Sequence, residues 1–261
     1  MFYDEAEEWS AALLLYDAAL KQVYTKLEIL NNEFKLAHQY NPIEHITSRI
    51  KTPQSIAKKL RHNQKELTVD NIIKYVNDVA GIRIICSFTS DIYRIADLIS
   101  KQSDIKVLKV KDYIMCPKDN GYTSYHMIIS IPVFLTDRTV ETKVEIQIRT
   151  IAMDFWASLE HKIYYKFEGN APEHIRKELK ECSDIVAYLD QKMLTLNEEI
   201  KIYSRDRLEG CQEDLIVTSK SVVAEAIGTF IEEEEGQAVT KTDDEKPQKS
   251  GRKRTLFGLQ I

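Results

Sequence analysis

Three polar side chains of different chemistry alternate along the stretch KVEIQIRTIAMDFWASLEHK, residues 143–162. Glu145, Gln147 and Arg149 are separated by single isoleucines, so a β-strand would place all three on one face. The wet face of an edge strand would have the same pattern. The order of an acid, an amide and a base directly before a helical stretch is unusual for such a face, and it favours a binding or catalytic role.

A second polar cluster lies in the basic segment HITSRIKTPQSIAKKLR, residues 45–61. Its polar members include Arg49, Lys51, Ser55, Lys58, Lys59 and Arg61. Thr52 can cap a helix that begins at Pro53, and the backbone amides of a helix N-terminus add to side-chain cations in holding a polyphosphate. A solvated basic helix face is an equally good interpretation of this segment alone.

The segment VNDVAGIRI contains an acid before a strand and a lone arginine inside it. Arg83 would be costly to bury without an anionic partner, which could be a structural salt bridge or a bound phosphate. Asp78, together with Glu145 from another strand, could share a divalent cation of the magnesium type. Such a cation between phosphates and carboxylates is typical of phosphoryl and nucleotidyl transfer.

The fourth cluster is KDNGYTSYHM, residues 118–127, in which Gly121 indicates a tight turn. Tyr122, Tyr125 and His126 follow the turn directly into a strand. An aromatic ring at a loop edge could stack on a nucleotide base. Taken singly, Tyr125 is more typical of a core residue, and His126 of a satisfied hydrogen-bonding group.

The elements that position these residues follow from the apolar pattern. Two long helices are predicted, over residues 5–36 and 172–204, each with one apolar stripe. The first stripe is Leu13, Tyr16, Leu20, Val23, Leu27, Leu30 and Phe34, and the second is Ile175, Leu179, Cys182, Val186, Leu189, Met193, Leu196 and Ile200. Packing on the domain or on each other is the simpler expectation for the two helices, and an oligomer interface is the alternative.

Four β-rich segments lie between them, namely GIRIICSF (81–88), IKVLKVKDYI (105–114), HMIISIPVFL (126–135) and TKVEIQIR (142–149). Helices are expected in TPQSIAKKLRHNQ and DIYRIADLISKQ. A further helix capped by Thr150 should bury Ile151, Phe155, Leu159 and Ile163 against the sheet. The fold class is therefore α/β (α+β), a mixed sheet of four or five strands flanked by helices.

Composition limits the function classes. The net charge of −5 argues against a surface built mainly for nucleic acid, and the chain has no apolar run of the ~18 residues that a membrane helix needs. Four scattered cysteines without a CxxC pair indicate neither a zinc ribbon nor a redox dithiol. A cytoplasmic protein is expected, with a domain over residues 1–205 and a charged, disordered tail over residues 206–261.

With the four clusters in this order, the chain resembles the synthetase domain of the RelA/SpoT family, and in particular its single-domain small alarmone synthetases of the RelQ type. The matching motifs are SRIKTPQSIAKKL, NDVAGIRIIC, DYI followed by NGYTSYH, and VEIQIRTIAMDFWASLEHKIYYK. The resemblance implies a nucleotidyltransferase-like fold. It also implies transfer of the β,γ-pyrophosphate of ATP to the 3′-hydroxyl of GTP or GDP, which yields (p)ppGpp and AMP.

The resemblance implies a role for each matching residue. ATP and its phosphates would be held by Arg49, Lys51, Ser55, Lys58, Lys59 and Arg83. The acceptor GTP or GDP would be held by Lys111, Lys118, Asn120, Tyr122 and His126, with Tyr122 stacked on guanine. Asp78 and Glu145 would bind Mg²⁺, and Glu145 would also activate the 3′-hydroxyl, while Gln147 and Arg149 would support it.

Two departures from the family pattern shape the expectations. Larger members carry a hydrolase domain with a His-Asp motif, and no adjacent His-Asp pair occurs here, so synthesis without hydrolysis is expected. RelQ-type enzymes form tetramers whose central cleft binds the alarmone through lysines of the first helix. A homotetramer is therefore expected, but Tyr24 and Glu28 stand near those lysine positions and argue against activation by pppGpp.

Two competing functions remain open on the residues alone. A nucleotide-sensing or single-stranded-RNA-binding module is motivated by segment 45–61 and by the RKR of the tail. A conventional nucleotidyltransferase would release pyrophosphate instead of AMP. The sequence lacks the Gly-Ser turn and following Asp-x-Asp of that second class.

Overall fold

The computed structural model describes residues 2–38, 40–167 and 171–203. By contacts the chain divides into residues 1–199 and residues 200–261, and the fold below is that of the first unit. The predicted tail from residue 206 lies outside the described residues. The elements are α1 (Phe2–Ala37), β1 (Ile43–Ile50), α2 (Pro53–His62), α3 (Val69–Tyr75), β2 (Ala80–Cys86), α4 (Thr89–Ser100), β3 (Lys106–Asp112), β4 (Tyr125–Phe134), β5 (Thr139–Thr150), α5 (Ile151–Lys166) and α6 (residues 173–203).

The five strands form one mixed sheet in the order β1-β2-β5-β4-β3. β2 and β5 run parallel, and the other neighbouring pairs run antiparallel. The mixed α/β fold is thereby confirmed. The interpretation of the Glu145 strand as an edge strand is wrong, because β5 is hydrogen-bonded on both sides in the middle of the sheet. The four predicted strands are β2 to β5, and β1 is the fifth.

One face of the sheet is buried under α1 and α4. Alternate strand residues such as Ile82, Ile84, Ile129 and Ile146 belong to the same core as the helix residues. The predicted stripe of α1 supplies Tyr16, Leu20, Val23, Leu27 and Phe34 to that core, all at most 6% exposed. Full burial of such a side chain contributes about 1.5–3 kcal/mol. Packing on the domain is therefore confirmed for this helix, and the opposite face of the sheet stays open for polar groups.

Helix α5 buries a different stripe from the one predicted. Ile151, Phe155 and Leu159 are 55%, 61% and 41% exposed, whereas Met153 and Trp156 are buried. Ile163, the fourth member, is partly exposed. The helix follows β5 without a loop, so the buried Thr150 at the end of the strand fixes its rotation. The hydroxyl of Thr150 accepts a hydrogen bond from the amide of Met153 at 3.1 Å, which confirms the predicted cap.

Helix α6 presents part of its predicted stripe outward. Leu189, Met193 and Leu196 are 52%, 49% and 43% exposed. The buried positions of this helix in the first unit are instead polar, Ser183 and Asp190. The described residues therefore leave an apolar row of this helix exposed. None of the helices in the described ranges is both long enough and apolar enough to cross a membrane.

Candidate active site

The open face of the sheet carries two rows of residues that cross all five strands. Register pairs Arg49 with Gly81, Gly81 with Glu145, Glu145 with Ile128 and Ile128 with Lys109. The next row is Thr47, Arg83, Gln147, His126 and Lys111. Directly paired residues point to the same face of a sheet. The predicted strand residues of the site therefore share one surface, with Glu145 at its centre.

Asp78 binds two lysines of the basic segment. Its carboxylate accepts from Lys51 Nζ at 2.8 Å and from Lys59 Nζ at 2.6 Å. The Asp78 side chain is only 14% exposed. Burial acts to raise the pKa of Asp78, but the two ammonium groups outweigh it and hold the pKa below its usual value. The carboxylate is therefore charged and already organises two cations that a phosphate chain could use.

Glu145 has one polar partner at each carboxylate oxygen. Gln147 Nε2 lies 2.9 Å from Oε2, and His126 Nδ1 lies 3.5 Å from Oε1. Burial acts to raise the pKa of Glu145, and so does the negative charge of Asp78, but His126 and Gln147 hold it below its usual value. Glu145 is thus an ionised, partly buried carboxylate that could accept a proton.

Two small cavities lie on either side of Glu145. The first, of about 130 Å³, is lined by Thr47, Ser48, Arg49, Asp78, Gly81, Ile82, Arg83, Glu145 and Gln147. The second, of about 90 Å³, is lined by Lys59, Asn77, Lys109, Lys111, His126, Ile128 and Glu145. Both contain cationic side chains, and Glu145 lines both. One carboxylate therefore separates two pockets that could each hold a phosphate-bearing ligand.

Arg83 has one anionic partner and one unused donor. Its Nη1 lies 3.2 Å from Asp154 Oδ1, while its Nε is buried and has no hydrogen-bond partner within the described parts of the chain. The salt-bridge interpretation of Arg83 is thereby confirmed. An unpaired buried donor beside the first cavity also favours an anionic ligand there, because a buried N–H group without a hydrogen-bond partner costs free energy. The phosphate interpretation therefore stays a prediction.

The loop between β3 and β4 places Tyr122 over the site. Arg149 Nη2 donates to the Tyr122 hydroxyl at 2.6 Å, and that hydroxyl lies 2.8 Å from His126 Nε2. The ammonium of Lys118 lies 4.6 Å from the centre of the Tyr122 ring. Asn120 is farther out, where its Nδ2 donates to Glu160 Oε1 at 3.2 Å. Tyr122 thus lies next to His126, which lines the second cavity, and Lys118 covers one face of its ring.

The same loop is held from behind by α6. Gly121 has a φ of +88°, and a Cβ built there would lie 2.5 Å from Ser183 Oγ. Ser183 Oγ donates to the carbonyl of Gly121 at 2.5 Å. Glycine is needed here both for its positive φ and for the close approach of the helix. The tight turn predicted from Gly121 is therefore present.

Some predicted residues lie apart from the cavities. Ser55 is engaged in the N-cap of α2, where its amide donates to Thr52 Oγ1 and its hydroxyl accepts from it. Lys58 is exposed on the same helix and is not among the residues that line either cavity. Their assignment to ATP stays a prediction, as it does for every predicted site residue.

Sequence reasoning missed two residues of this surface. Lys109 lines the second cavity and is two positions before Lys111 on the same strand, so simple alternation could have found it. Asp154 ties Arg83 to Arg149, with Arg149 Nη1 at 3.0 Å. An acid in the first turn of a helix that follows a buried arginine was the available signal.

The donor set at the site suits a magnesium ion. Asp78 and Glu145 line the first cavity together, and the pKa of Glu145 responds to the charge of Asp78. Within the described residues no group of three or more His, Cys, Asp or Glu side chains could hold a metal on its own. Mg²⁺ commonly takes one or two carboxylates and completes its shell with phosphate oxygens and water. Two hard oxygen donors beside a cavity lined by arginines fit that pattern.

Comparison with known proteins agrees with this geometry. A family model described as a region found in RelA / SpoT proteins matches residues 48–170. GTP pyrophosphokinase YwaC of Bacillus subtilis (strain 168) is 50% identical over 194 residues, which are 74% of this chain and 92% of the relative.

Two solved structures from Bacillus subtilis are similar over the same extent. Small alarmone synthetase 2 is 48% identical, with a TM-score of 0.67 over 74% of this chain and 99% of that chain. Small alarmone synthetase 1 bound to its product pppGpp is 34% identical, with a TM-score of 0.70 over 74% and 98%. The region that the family model matches contains the polar residues from Arg49 to Arg149. The chain belongs to the RelA/SpoT family, among its small alarmone synthetases.

Proposed function

We propose that this chain is a GTP pyrophosphokinase, which transfers the pyrophosphate of ATP to the 3′-hydroxyl of GTP or GDP and so makes (p)ppGpp. The observation that carries the proposal is the position of Glu145 between two cation-lined cavities on one sheet face. An enzyme that transfers pyrophosphate from one nucleotide to another must bind both nucleotides side by side, with a base near the attacking hydroxyl. The names of the relatives, GTP pyrophosphokinase and small alarmone synthetase, support the same reaction.

ATP is proposed to bind at the first cavity. Arg49, Arg83 and Asp78 line it, and Lys51 and Lys59 donate to Asp78. Lys59 itself lines the second cavity, beside Glu145. These cations would neutralise the triphosphate as charge builds up during transfer, which is most of what phosphoryl-transfer catalysis requires. Bound Mg²⁺, held by Asp78 and Glu145, would supply further charge neutralisation between the phosphates.

The acceptor nucleotide is proposed to bind at the second cavity, with guanine on Tyr122. Lys109, Lys111 and His126 line this cavity and would face the phosphates and ribose of that nucleotide. In the reaction the 3′-oxygen forms a bond to the β-phosphorus of ATP, and the bond from that phosphorus to the α,β-bridging oxygen breaks. AMP leaves with the bridging oxygen, and the hydroxyl proton passes to Glu145.

Assembly and location complete the proposal. Assembly into an oligomer, proposed as a homotetramer, is motivated by the apolar row of α6 that the described residues leave exposed, since apolar rows of this kind usually mark contacts with other chains. A cytoplasmic location follows from the nucleotide substrates. Single-stranded RNA bound at the basic segment 45–61 would compete with ATP.

The proposal is tested by incubating the purified protein with labelled ATP, Mg²⁺ and either GTP or GDP, and separating the products by chromatography. The expected result is a guanosine nucleotide with a 3′-pyrophosphate, and one AMP for each such product. Release of pyrophosphate would instead indicate nucleotidyl transfer. RNA binding without any turnover would indicate a sensing module, and either result would sink the proposal.

A further inference from the structure

Five side chains of the site close a ring of four hydrogen bonds and one histidine–carboxylate contact. In order around the ring they are Glu145, Gln147, Arg149, Tyr122 and His126. The contacts measure 2.9 Å, 3.1 Å, 2.6 Å, 2.8 Å and 3.5 Å in that order, starting from the Glu145–Gln147 bond. The ring joins the residue proposed to stack on guanine to the residue proposed to accept the proton.

Arg149 can only donate in this ring. A guanidinium has no acceptor, so Arg149 Nη2 gives one hydrogen to the Tyr122 oxygen and the other to Gln147 Oε1. The Gln147 amide donates to Glu145 Oε2. His126 bridges the other side, with its Nε2 2.8 Å from the Tyr122 oxygen and its Nδ1 3.5 Å from Glu145 Oε1. Two chains of contacts therefore start at one donor nitrogen and end on the two oxygens of one carboxylate.

Arg149 itself is fixed from the other side. Its Nη1 donates to Asp154 at 3.0 Å and its Nε donates to Ser124 Oγ at 3.3 Å. The side chain is 6% exposed. Its planar fork thus reaches four partners in three directions, which the single ammonium of a lysine cannot reproduce. The bonds to Asp154 and Ser124 thus hold Arg149 Nη2 toward Tyr122 and Gln147.

Resting on the proposed function, we propose that Arg149 is a positioning residue that couples the seat of Tyr122 to the orientation of the Glu145 carboxylate. An acceptor guanine that settles on the Tyr122 ring then meets a carboxylate already turned toward its ribose. Displacement of Tyr122 releases one oxygen of Glu145, and loss of Arg149 releases both. Arg149 touches no reacting atom in this role, and it acts on the transfer through its two neighbours.

The test compares Arg149→Lys in two backgrounds. In the wild-type protein, Arg149→Lys should lower kcat by about 10- to 100-fold, the usual cost of a misplaced catalytic group. In the double variant Tyr122→Phe/Gln147→Met both chains are already cut while the aromatic ring stays. There the same change should lower kcat by less than about twofold, because residues of one network are not additive.

An equal loss of kcat in both backgrounds would overturn the coupling, since Arg149 would then act by another route, for example through Asp154 and Arg83. The control is Arg138→Lys, the same substitution at a side chain that is 61% exposed in the β4–β5 turn. It should leave kcat and both KM values unchanged. Melting temperatures of all variants should be recorded, since a structural role alone would lower stability equally in both backgrounds.

A binding measurement separates the coupling from the reaction. Calorimetry with GDP alone needs no turnover, so it remains informative if the wild-type protein fails to make (p)ppGpp and the proposed function falls. Arg149→Lys should weaken GDP binding by about fivefold, the value of one hydrogen bond that no longer holds Tyr122 in place. It should cause no further weakening in the Tyr122→Phe background. Unchanged GDP affinity in the single variant would contradict the link between Arg149 and Tyr122.

Discussion

Each carboxylate of the site is surrounded by groups that keep it charged. Asp78 has two ammonium groups within hydrogen-bond distance, and Glu145 has an amide and an imidazole. Both carboxylates are mostly buried, so without these partners desolvation would favour their neutral forms. The same partners make the site suited to anionic ligands, because the lysines can turn from Asp78 to phosphate oxygens.

Replacing Asp78 by Asn should weaken the Mg²⁺ binding that is proposed for the site. The amide removes one hard charged ligand and leaves Lys51 and Lys59 without their anion. The rate at saturating ATP should fall by about 10²-fold or more, and the Mg²⁺ concentration for half-maximal rate should rise. Rates measured across a Mg²⁺ titration check this outcome.

The matched control is Asp70→Asn, an exposed acid in the first turn of α3. It should leave the Mg²⁺ titration unchanged. An unaltered titration in Asp78→Asn would show that this carboxylate serves only the two lysines.

For single residues, the sequence predicts which side chains share a face better than it predicts which groups they bond to. Alternation along β5 places Glu145, Gln147 and Arg149 on one face, and the structure confirms it. No spacing rule predicts that Arg149 is bound to Tyr122, which is 27 positions away. That contact depends on how the β3–β4 loop folds back, and it arises from tertiary packing.

Two elements position the loop between β3 and β4, which carries residues proposed to bind the acceptor nucleotide. The loop is pinned to the sheet through Tyr122 and to α6 through the carbonyl of Gly121. α6 is in turn tied to α5 by the Trp156 indole, which donates to the carbonyl of Leu179 at 2.9 Å. The geometry of the acceptor side therefore depends on a helix that contributes no residue to either cavity.

Removing the hydroxyl of Ser183 should loosen the loop and weaken acceptor binding. Ser183→Ala should raise KM for GDP severalfold and leave KM for ATP unchanged. The reason is that the β3–β4 loop carries residues proposed to bind GDP and none of those proposed to bind ATP. Steady-state kinetics with each substrate varied in turn measure the two values. Thr195→Ala is the control, since its exposed hydroxyl bonds only to the carbonyl of Gln191 one turn earlier in α6. A parallel rise in both KM values would show a general loss of structure.

The buried carboxylate of Asp190 makes the stability of the folded chain depend on pH. Its carboxylate is 8% exposed and accepts from Thr150 Oγ1 at 2.7 Å. Burial raises its pKa, and the Thr150 hydrogen bond only partly offsets this effect. Since the folded pKa is the higher one, the stabilising contribution is present below the unfolded pKa of about 4 and is lost as pH rises through the folded value.

Asp190→Asn keeps an acceptor for Thr150 and removes the buried charge. It should therefore raise the melting temperature at pH 7 and have little effect below pH of about 4. Thermal unfolding at both pH values measures the difference. Asp184→Asn on the exposed side of α6 should show no such gain, and a lower melting temperature for Asp190→Asn at pH 7 would contradict the account.

The elements themselves were largely predictable, and their rotations were not. The apolar stripe of α1 and the four β-rich segments appear close to their predicted bounds. The stripe of α5 was wrong because it was chosen by spacing, whereas the strand that leads into the helix sets which side faces inward. The short helix α3 was missed, since seven residues carry too little periodicity to stand out.

On the scale of the whole molecule, one apolar surface has no cover within the described chain. The outward row of α6 includes Ile185, Leu189 and Met193, which are 66%, 52% and 49% exposed. A second copy of the chain would bury such a row, as the predicted oligomer requires. The exposure of this row within residues 171–203 is therefore the basis for expecting assembly.

Placing a charge in this row should break the assembly. Leu189→Glu should shift the mass measured by light scattering from the oligomer to a single chain at micromolar concentration, because an unpaired buried charge is costly. Gln191→Glu, a charge at an exposed polar position of the same helix, should leave the mass unchanged. A wild-type protein that already has the mass of one chain would remove the prediction.

The central claim is that Glu145 takes the proton of a hydroxyl that attacks ATP at its β-phosphorus. The most direct measurement is the rate at which AMP and the 3′-pyrophosphorylated guanosine nucleotide form together in Glu145→Gln and in Glu141→Gln. Glu141 lies on the same strand, bound to Ser130 outside both cavities. We predict that Glu145→Gln loses at least about 10²-fold in both products while Glu141→Gln keeps the wild-type rate and a one-to-one ratio. Equal rates in the two variants, or ADP or pyrophosphate in place of AMP, would contradict the account.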